Sequence, residues 1–199
     1  ARTGTIVTTL TEADYLALRR DVDGIARSSA MVSSGLRLKA GYLSKVAPVL
    51  GVEPDFFSIK SWALASGEYF QAEDVRRSAR VVLLGWQVAR DLYGDRDPLG
   101  ERLFINRVPF EVAGVLAERG QGLDVINEDQ QVYVPLTTAM RRLLNLDHYR
   151  SILLDVKESH DMARVAADVT ALLRVRHRIS PFRPDDFSGG RQLRLDQLL

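Results

Sequence analysis

The alternation of apolar and polar positions is clearest between residues 79 and 116, where several predicted elements follow one another. Val81–Leu84 is an uninterrupted apolar run of strand length, and Trp86–Tyr93 repeats its apolar residues with a helical period. The pattern then predicts a hairpin with arms at Glu101–Ile105 and Phe110–Leu116. This ordered stretch contains no obvious nucleophile, metal cluster or phosphate loop, which favours a structural or partner-binding role.

The N-terminal part of the chain reads as a strand, a helix and further strands. Thr5–Leu10 has strand composition, and Thr11 offers a cap for a helix that runs to about Arg20. Residues 25–52 then predict two or three antiparallel strands, with a turn at Ser34-Gly35.

The C-terminal part has a similar order. Tyr149–Val156 reads as a strand, and Ser159 is placed to cap a helix over residues 160–176. A last strand is expected in the tail. Because both ends carry this βαβ-type composition, we predict an α+β fold with a split, ferredoxin-like lobe at residues 1–52 and 149–199. The middle of the chain, 53–148, forms an inserted, strand-rich second lobe.

Composition narrows the class of protein. The 199 residues include 27 basic and 26 acidic side chains, a net charge of +1, which argues against a nucleic-acid-binding protein. The absence of cysteine excludes disulfides and thiolate zinc sites. No run of about 18 apolar residues and no signal peptide is visible. The chain starts without Met, and we expect it to be a segment of a longer protein.

Candidate catalytic groups have simpler explanations. Three histidines lack the spacing of a metal site, and the paired carboxylates lie in turns, where turn chemistry explains them. These residues are His148, His160 and His177, and the pairs Asp95/Asp97, Glu128/Asp129 and Asp185/Asp186. We therefore predict no catalytic, cofactor-binding or metal-ligating residue and no cofactor in this segment. A carboxylate-based hydrolase stays open as an alternative.

The long loop after the hairpin, residues 117–131, is the best candidate for partner binding, because long loops often carry function. Its glycine-flanked centre combines apolar and amide side chains. The candidate residues are Gln121, Leu123, Val125, Ile126 and Asn127. The aromatic residues of the middle segment are predicted to pack in the core. They are Phe56, Phe57, Trp62, Tyr69, Phe70 and Trp86.

Several segments occur in an order that resembles the extracytoplasmic core domain of MacB-type (MacB/FtsX-like) ABC transporter permeases. They are ASGEYF (65–70), RVVLLGWQVARDLYG (80–94), DPLGERLFI (97–105), PFEVAGVL (109–116), VYVPLTTA (132–139) and SILLDVK (151–157). Each segment alone is weakly specific, and their ordered succession is more specific. The resemblance covers nearly the whole chain.

The resemblance implies a domain between the first two transmembrane helices of a bacterial inner-membrane permease, facing the periplasm. It implies a porter-like lobe from both chain ends and an inserted Sabre-like lobe. Such a domain is not an enzyme. It transmits motion from cytoplasmic ATP hydrolysis in efflux or export, and it docks a periplasmic adaptor or lipoprotein. ATP and Mg²⁺ would bind a separate nucleotide-binding domain, and the full-length protein would form a homodimer or heterodimer.

Two features differ from the family pattern or vary within it. Glu68 stands where the family commonly has Arg, and residues 117–131 vary among relatives, so the partner cannot be transferred. A free-standing periplasmic binding or adaptor protein of similar fold is the alternative function.

Overall fold

The computed structural model describes residues 10–120, 127–177, 182–186 and 192–197. Its α-helices are α1 Glu12–Asp21, α2 Asp55–Ile59, α3 Ala72–Arg76, α4 Trp86–Tyr93, α5 Leu136–Thr138 and α6 Met162–His177. Its strands are β1 Ile25–Ala40, β2 Leu43–Val52, β3 Leu64–Gly67, β4 Val81–Leu84, β5 Arg102–Ile105, β6 Val108–Leu116, β7 Val132–Pro135, β8 Ser151–Val156, β9 Phe182–Asp186 and β10 Gln192–Gln197. Glu128–Gln130 forms a 3₁₀ turn, and Ala139–Leu144 forms a π-helical turn.

The chain divides into two compact units. The terminal unit combines the chain up to Ala30 with the chain from Asp147 onward, and the middle unit is Met31–Leu146. The first division falls at 30/31, whereas the sequence placed a lobe boundary at 52/53. The reason is that β1 and β2 pair continuously from Met31↔Val52 to Ala40↔Leu43, which keeps the hairpin within the middle unit.

The terminal unit is a sheet with two helices. β8 pairs with β1 and, antiparallel, with β10, which in turn pairs antiparallel with β9. The apolar stripe of α6 is buried at Val165, Val169 and Leu173. Most of the predicted first strand lies outside the described residues, and Leu10 at its end forms a bridge with Tyr149.

Helix α1 begins as the sequence predicts. Thr11 and Asp14 form a reciprocal capping box, in which each side chain accepts the backbone N–H of the other residue. Helix α6 differs, because the side chain of Asp161, and not Ser159, accepts the N–H of Ala163 in its first turn. The Ser159 hydroxyl instead contacts the His160 ring at 3.0 Å.

A buried ion cluster joins α1 to the end of α6. The Asp14 side chain is 2% exposed and accepts hydrogen bonds from Arg176 Nε at 2.7 Å and His177 Nε2 at 2.8 Å. Burial raises the pKa of Asp14, but the hydrogen bonds from Arg176, the Thr11 N–H and His177 outweigh burial, so the pKa lies below its ordinary value. The cluster therefore stabilises the packing of the two helices while Asp14 is ionised.

The middle unit contains the sheet order β2-β7-β4-β6-β5-β1, with β3 added beside β6. The predicted turn at Ser34-Gly35 is wrong, since Gly35 pairs with Pro48 inside a continuous ladder. The chain reverses at residues 41–42, where Gly41 has a φ of +59° that favours glycine. A turn that tight produces one long two-stranded hairpin, which agrees with the predicted two or three strands.

The opening stretch of the sequence forms the predicted scaffold of this unit. β4 and α4 have the predicted bounds, and the β5–β6 hairpin turns at Asn106-Arg107, both with positive φ. β4 lies parallel to β6 and antiparallel to β7. The fold is thus mixed α+β. Within the described residues, no helix is long and apolar enough to cross a membrane.

Candidate partner-binding site

The structure describes both ends of the candidate loop. Gln121, Leu123, Val125 and Ile126 lie outside the described residues. Asn127 is described, and its side-chain oxygen accepts the N–H of Asp129 at 3.1 Å, which starts the 3₁₀ turn. The two described ends of the loop are residues 117–120 and 127–131. We call these two segments the loop base.

A buried carboxylate joins the two ends of the loop base. Asp129 is 4% exposed, and its Oδ1 accepts the Arg119 N–H at 2.9 Å. Its Oδ2 accepts the Gly120 N–H at 2.8 Å. A carboxylate satisfied by backbone donors is a strong acceptor in a fixed geometry, so Asp129 holds both ends of the loop together.

Arg119 connects the loop base to the segment after α2. Its guanidinium lies 4.4 Å from the centre of the Trp62 ring and donates to the carbonyl of Lys60. Glu128 lies 3.5 Å from both the Arg119 Nη1 and the Lys60 Nζ. The Trp62 indole N–H in turn donates to the Ala117 carbonyl at 2.9 Å, which adds a third connection to the loop base.

The loop base rests on an aromatic cluster. Trp62 packs edge-to-face on Tyr133 with ring centres 5.2 Å apart, and Tyr133 also contacts Phe56 and Phe57. The Tyr133 hydroxyl donates to Gln131 Oε1 at 2.9 Å. Burial raises the pKa of Tyr133 well above its ordinary value, and the nearby Glu128 charge adds to this, so the phenol stays neutral. The prediction of core packing is confirmed for Phe56, Phe57, Trp62 and Phe70, which are buried, whereas Tyr69 and Trp86 are half-buried.

The β4–α4 junction supports the loop base from another side. The N–H of Gly85 donates to the Gln131 carbonyl at 2.9 Å. A Cβ at this position would lie 2.5 Å from the carbonyl oxygens of Asp129 and Gln131, so only glycine permits this approach. Lys45 donates to Gln130 Oε1 at 2.6 Å and to Asp91 at 2.7 Å, which fixes the last turn of the loop.

An open cleft of about 480 Å³ lies over the same aromatic cluster. Its lining includes Phe57, Trp62 and Tyr69, with Asp55 and Gln71 among the polar residues. The Tyr69 hydroxyl donates to the Trp62 carbonyl, so the aromatic wall is held by a hydrogen bond as well as by packing. The lining of the cleft therefore mixes aromatic rings with polar side chains.

The candidate chemical groups have structural partners where they are described. Glu128 and Asp129 serve the loop base, Asp97 accepts the Leu99 N–H, and His148 lies 3.0 Å from Asp147. His160 and His177 have the contacts given above. No group of three or more potential metal ligands occurs in the described part of the chain. The side chains of Asp185 and Asp186 lie outside the described residues.

Sequence reasoning named Trp62, Glu128 and Asp129 without connecting them to the loop, and it missed Lys60 and Arg119. Lys60 and Trp62 are near neighbours in the chain but lie nearly sixty residues before Arg119, and Asp129 reads locally as a turn residue. The available signals were weak ones: the carboxylate pair Glu128/Asp129 after Asn127, and Gly85 directly before a helix.

The sequence of this chain matches a family of known proteins. A family model described as the MacB-like periplasmic core domain matches residues 2–172. The macrolide export ATP-binding/permease protein MacB of Bdellovibrio bacteriovorus is 32% identical over 168 residues, which cover 83% of this chain and 25% of that protein. This chain thus spans about a quarter of the length of the curated relatives it matches.

Two solved structures share the fold at low identity. The periplasmic region of MacB from Actinobacillus actinomycetemcomitans superposes with a TM-score of 0.79 at 20% identity, covering 96% of this chain and 80% of that one. The extracellular domain of the transporter YknZ from Gram-positive bacteria gives a TM-score of 0.74 at 20% identity, covering 85% of each chain.

Proposed function

Because this chain belongs to the family of MacB-like periplasmic core domains, we propose that it is the extracytoplasmic part of an ABC transporter permease. In this role it carries no chemistry of its own. It transmits motion from cytoplasmic ATP hydrolysis and docks a periplasmic adaptor, a lipoprotein or another protein partner. ATP and Mg²⁺ bind a separate nucleotide-binding domain, and two permease copies or two related permeases assemble around the transport path.

The observation that carries this proposal is the family match together with the division into a terminal and a middle unit. We assign the terminal unit to the porter-like lobe and the middle unit to the Sabre-like lobe. In the proposed full-length protein, both ends of the terminal unit would be connected to transmembrane helices. Within the terminal unit, the Asp14–Arg176–His177 cluster joins α1 to the end of α6.

The loop base supports the docking half of the proposal. Hydrogen bonds, a cation–π contact and an aromatic cluster fix residues 117–120 and 127–131. A fixed base lowers the entropy lost when a loop binds a partner. We therefore keep Gln121, Leu123, Val125, Ile126 and Asn127 as the proposed partner-contacting residues.

Motion transmission is tested in the full-length transporter reconstituted in lipid. This segment has no cysteine, so Arg164→Cys on the exposed side of α6 gives one spin-label site per copy in this segment. We expect the distance between labels in two copies to change between the nucleotide-free and the ATP-trapped states. The matched control is the same label in a transporter whose nucleotide-binding domain can no longer bind ATP, where the distance should stay constant. Identical distances in every state of the active transporter would refute the motion.

Docking is tested separately with a photo-cross-linking amino acid at Leu123 and, as a control, at the exposed Arg150. The adaptor or lipoprotein encoded beside the transporter should form an adduct at Leu123 only. The adduct should weaken in Asp129→Asn, because this change loosens the loop base. Equal adducts at both positions, or none at Leu123, would contradict the assignment of the loop.

A further inference from the structure

Three neighbouring segments of the middle unit carry five exposed arginines. The segments are α3, the loop that follows it, and the π-helical turn. The residues are Arg76, Arg77, Arg80, Arg141 and Arg142. We call this set the arginine surface.

Hydrogen bonds from the α5 and π-helical segment hold the arginine surface together. Thr138 Oγ1 donates to the Ala79 carbonyl at 2.6 Å, and Thr137 Oγ1 donates to the Val75 carbonyl. Arg142 Nε donates to the Ser78 carbonyl at 2.8 Å. The guanidinium of Arg142 therefore lies directly at the loop that carries Arg77 and Arg80.

The arginine surface has an excess of positive charge. Arg76 pairs with Glu73, and Arg77 lies 3.3 Å from Asp74. Glu111 is also near, since its N–H donates to the Arg80 carbonyl at 3.0 Å. Five arginines against these three carboxylates leave +2, compared with +1 for the whole chain. In the part of the chain that the structure describes, Arg80 and Arg141 form no ion pair.

Ser78 adds a second unusual feature at the same place. Its hydroxyl is buried and has no hydrogen-bond partner, and it is the one such side-chain atom in the described residues. The backbone of Ser78 also has a φ of +50°, which is uncommon for a residue with a side chain. Unmade hydrogen bonds and strained backbone cost stability and concentrate at functional positions. The π-helical turn beside it is a further feature frequently found at such positions.

We propose that the arginine surface docks an acidic segment of a partner protein. Planar guanidinium groups bind carboxylates in a bidentate way, and Arg80 and Arg141 are exposed and form no ion pair with an acid among the described residues. The proposal deepens the docking role proposed above and rests on it. It adds the chemistry of the partner and a contact surface separate from the loop base.

The surroundings favour a protein partner over a lipid surface. Proteins that lie on membranes combine cations with large apolar side chains that enter the lipid. The large apolar side chains that are exposed in the described residues are Leu16, Tyr42, Leu43, Val46 and Val175. None of them belongs to α3, the loop after it or the π-helical turn. The arginine surface thus carries the charge to bind an anionic partner but has no large exposed apolar side chain that would insert into lipid.

The experiment uses this 199-residue chain and a fluorescent peptide of eight glutamates as the probe, with an eight-glutamine peptide for comparison. The test variant is Arg80→Gln/Arg141→Gln, and the matched control is Arg150→Gln/Arg164→Gln, which removes the same charge from exposed positions of the terminal unit. Fluorescence anisotropy at low and physiological salt gives each Kd. Circular dichroism verifies that all variants are folded.

We expect the glutamate peptide to bind in a salt-dependent way and the glutamine peptide not to bind. The Kd should rise about tenfold in the test variant, since two exposed ion pairs are removed, and less than about twofold in the control. No binding, or an equal loss in both variants, would overturn the proposal. Binding to phosphatidylglycerol vesicles in place of the peptide would overturn it in favour of a membrane. None of these outcomes affects the test of nucleotide-dependent motion, because that test changes neither Arg80 nor Arg141.

Discussion

Removing the Asp129 carboxylate should release the loop base. In Asp129→Ala, the N–H groups of Arg119 and Gly120 lose their acceptor at 2.9 and 2.8 Å. A hydrogen bond to a charged group contributes about 1.5–3 kcal/mol, and both amides are only partly buried, so water replaces some of that. We expect the free energy of unfolding of the middle unit to fall by about 3 kcal/mol. Asp129→Asn, which keeps one acceptor oxygen, should cost about half as much.

The measurement is urea unfolding followed by tryptophan fluorescence in a Trp86→Phe background. Trp62 then reports alone, and it lies in the loop base, where its indole bonds to Ala117 and its ring contacts Arg119. Hydrogen exchange gives an independent local value. The amides of Arg119 and Gly120 should exchange at least about tenfold faster in Asp129→Asn, which corresponds to about 1.4 kcal/mol.

The control is Asp95→Asn, which removes a carboxylate whose side chain is fully exposed and whose nearest cation, Arg90, is 3.9 Å away. Its effect on stability should stay below about 0.5 kcal/mol. If Asp129→Ala also stayed below that value with unchanged exchange at Arg119 and Gly120, Asp129 would not hold the loop base. The claim that Asp129 joins residues 117–120 to residues 127–131 would then be refuted.

Two further predictions concern the terminal unit and the β4–α4 junction. Wild type should be about 1–3 kcal/mol more stable than Asp14→Asn at pH 7. Hydrogen bonds hold the pKa of Asp14 below its ordinary value. The difference in stability should therefore be complete above about pH 4 and shrink as the pH falls further. Denaturation curves from pH 2 to 7 measure it, and a constant difference would contradict the ionic character of the cluster. Gly85→Ala should cost about 1–3 kcal/mol through the clash of its Cβ with two carbonyl oxygens. Gly35→Ala, whose nearest neighbour would be 4.0 Å away, should be close to neutral in the same thermal unfolding assay.

Local patterns predicted the elements whose stabilising contacts are themselves local. The bounds of β4 and α4 and the cap of α1 at Thr11 all depend on residues within one turn. The pattern was misleading at Ser34-Gly35, because a Ser-Gly pair also fits a paired strand when a better turn follows at Gly41.

The candidate loop could be located from its length and glycines, but the residues that hold it could not. Trp62 and Ala117, or Arg119 and Asp129, have no periodic relation in the chain. The arginine surface is similar, since the segments that carry Arg80 and Arg141 are about sixty positions apart in the chain and are joined by the hydrogen bonds of Thr138 and Arg142. Such sets are visible only after the sheet has brought their segments together.

The sequence by itself determined the class of element at most described positions, the ordered segments that indicate the family, and the lack of a recognisable catalytic motif. The hydrophobic period, the helix caps and the turn residues are local properties of the chain. The class of each element can therefore be predicted from the sequence alone. The tertiary structure alone decided which distant residues share one environment: the burial of Asp129 against two backbone amides, the Asp14 cluster, and the unpaired Ser78 hydroxyl beside the arginines. Burial and electrostatics depend on distances in space, and the chain encodes those distances only through the whole fold.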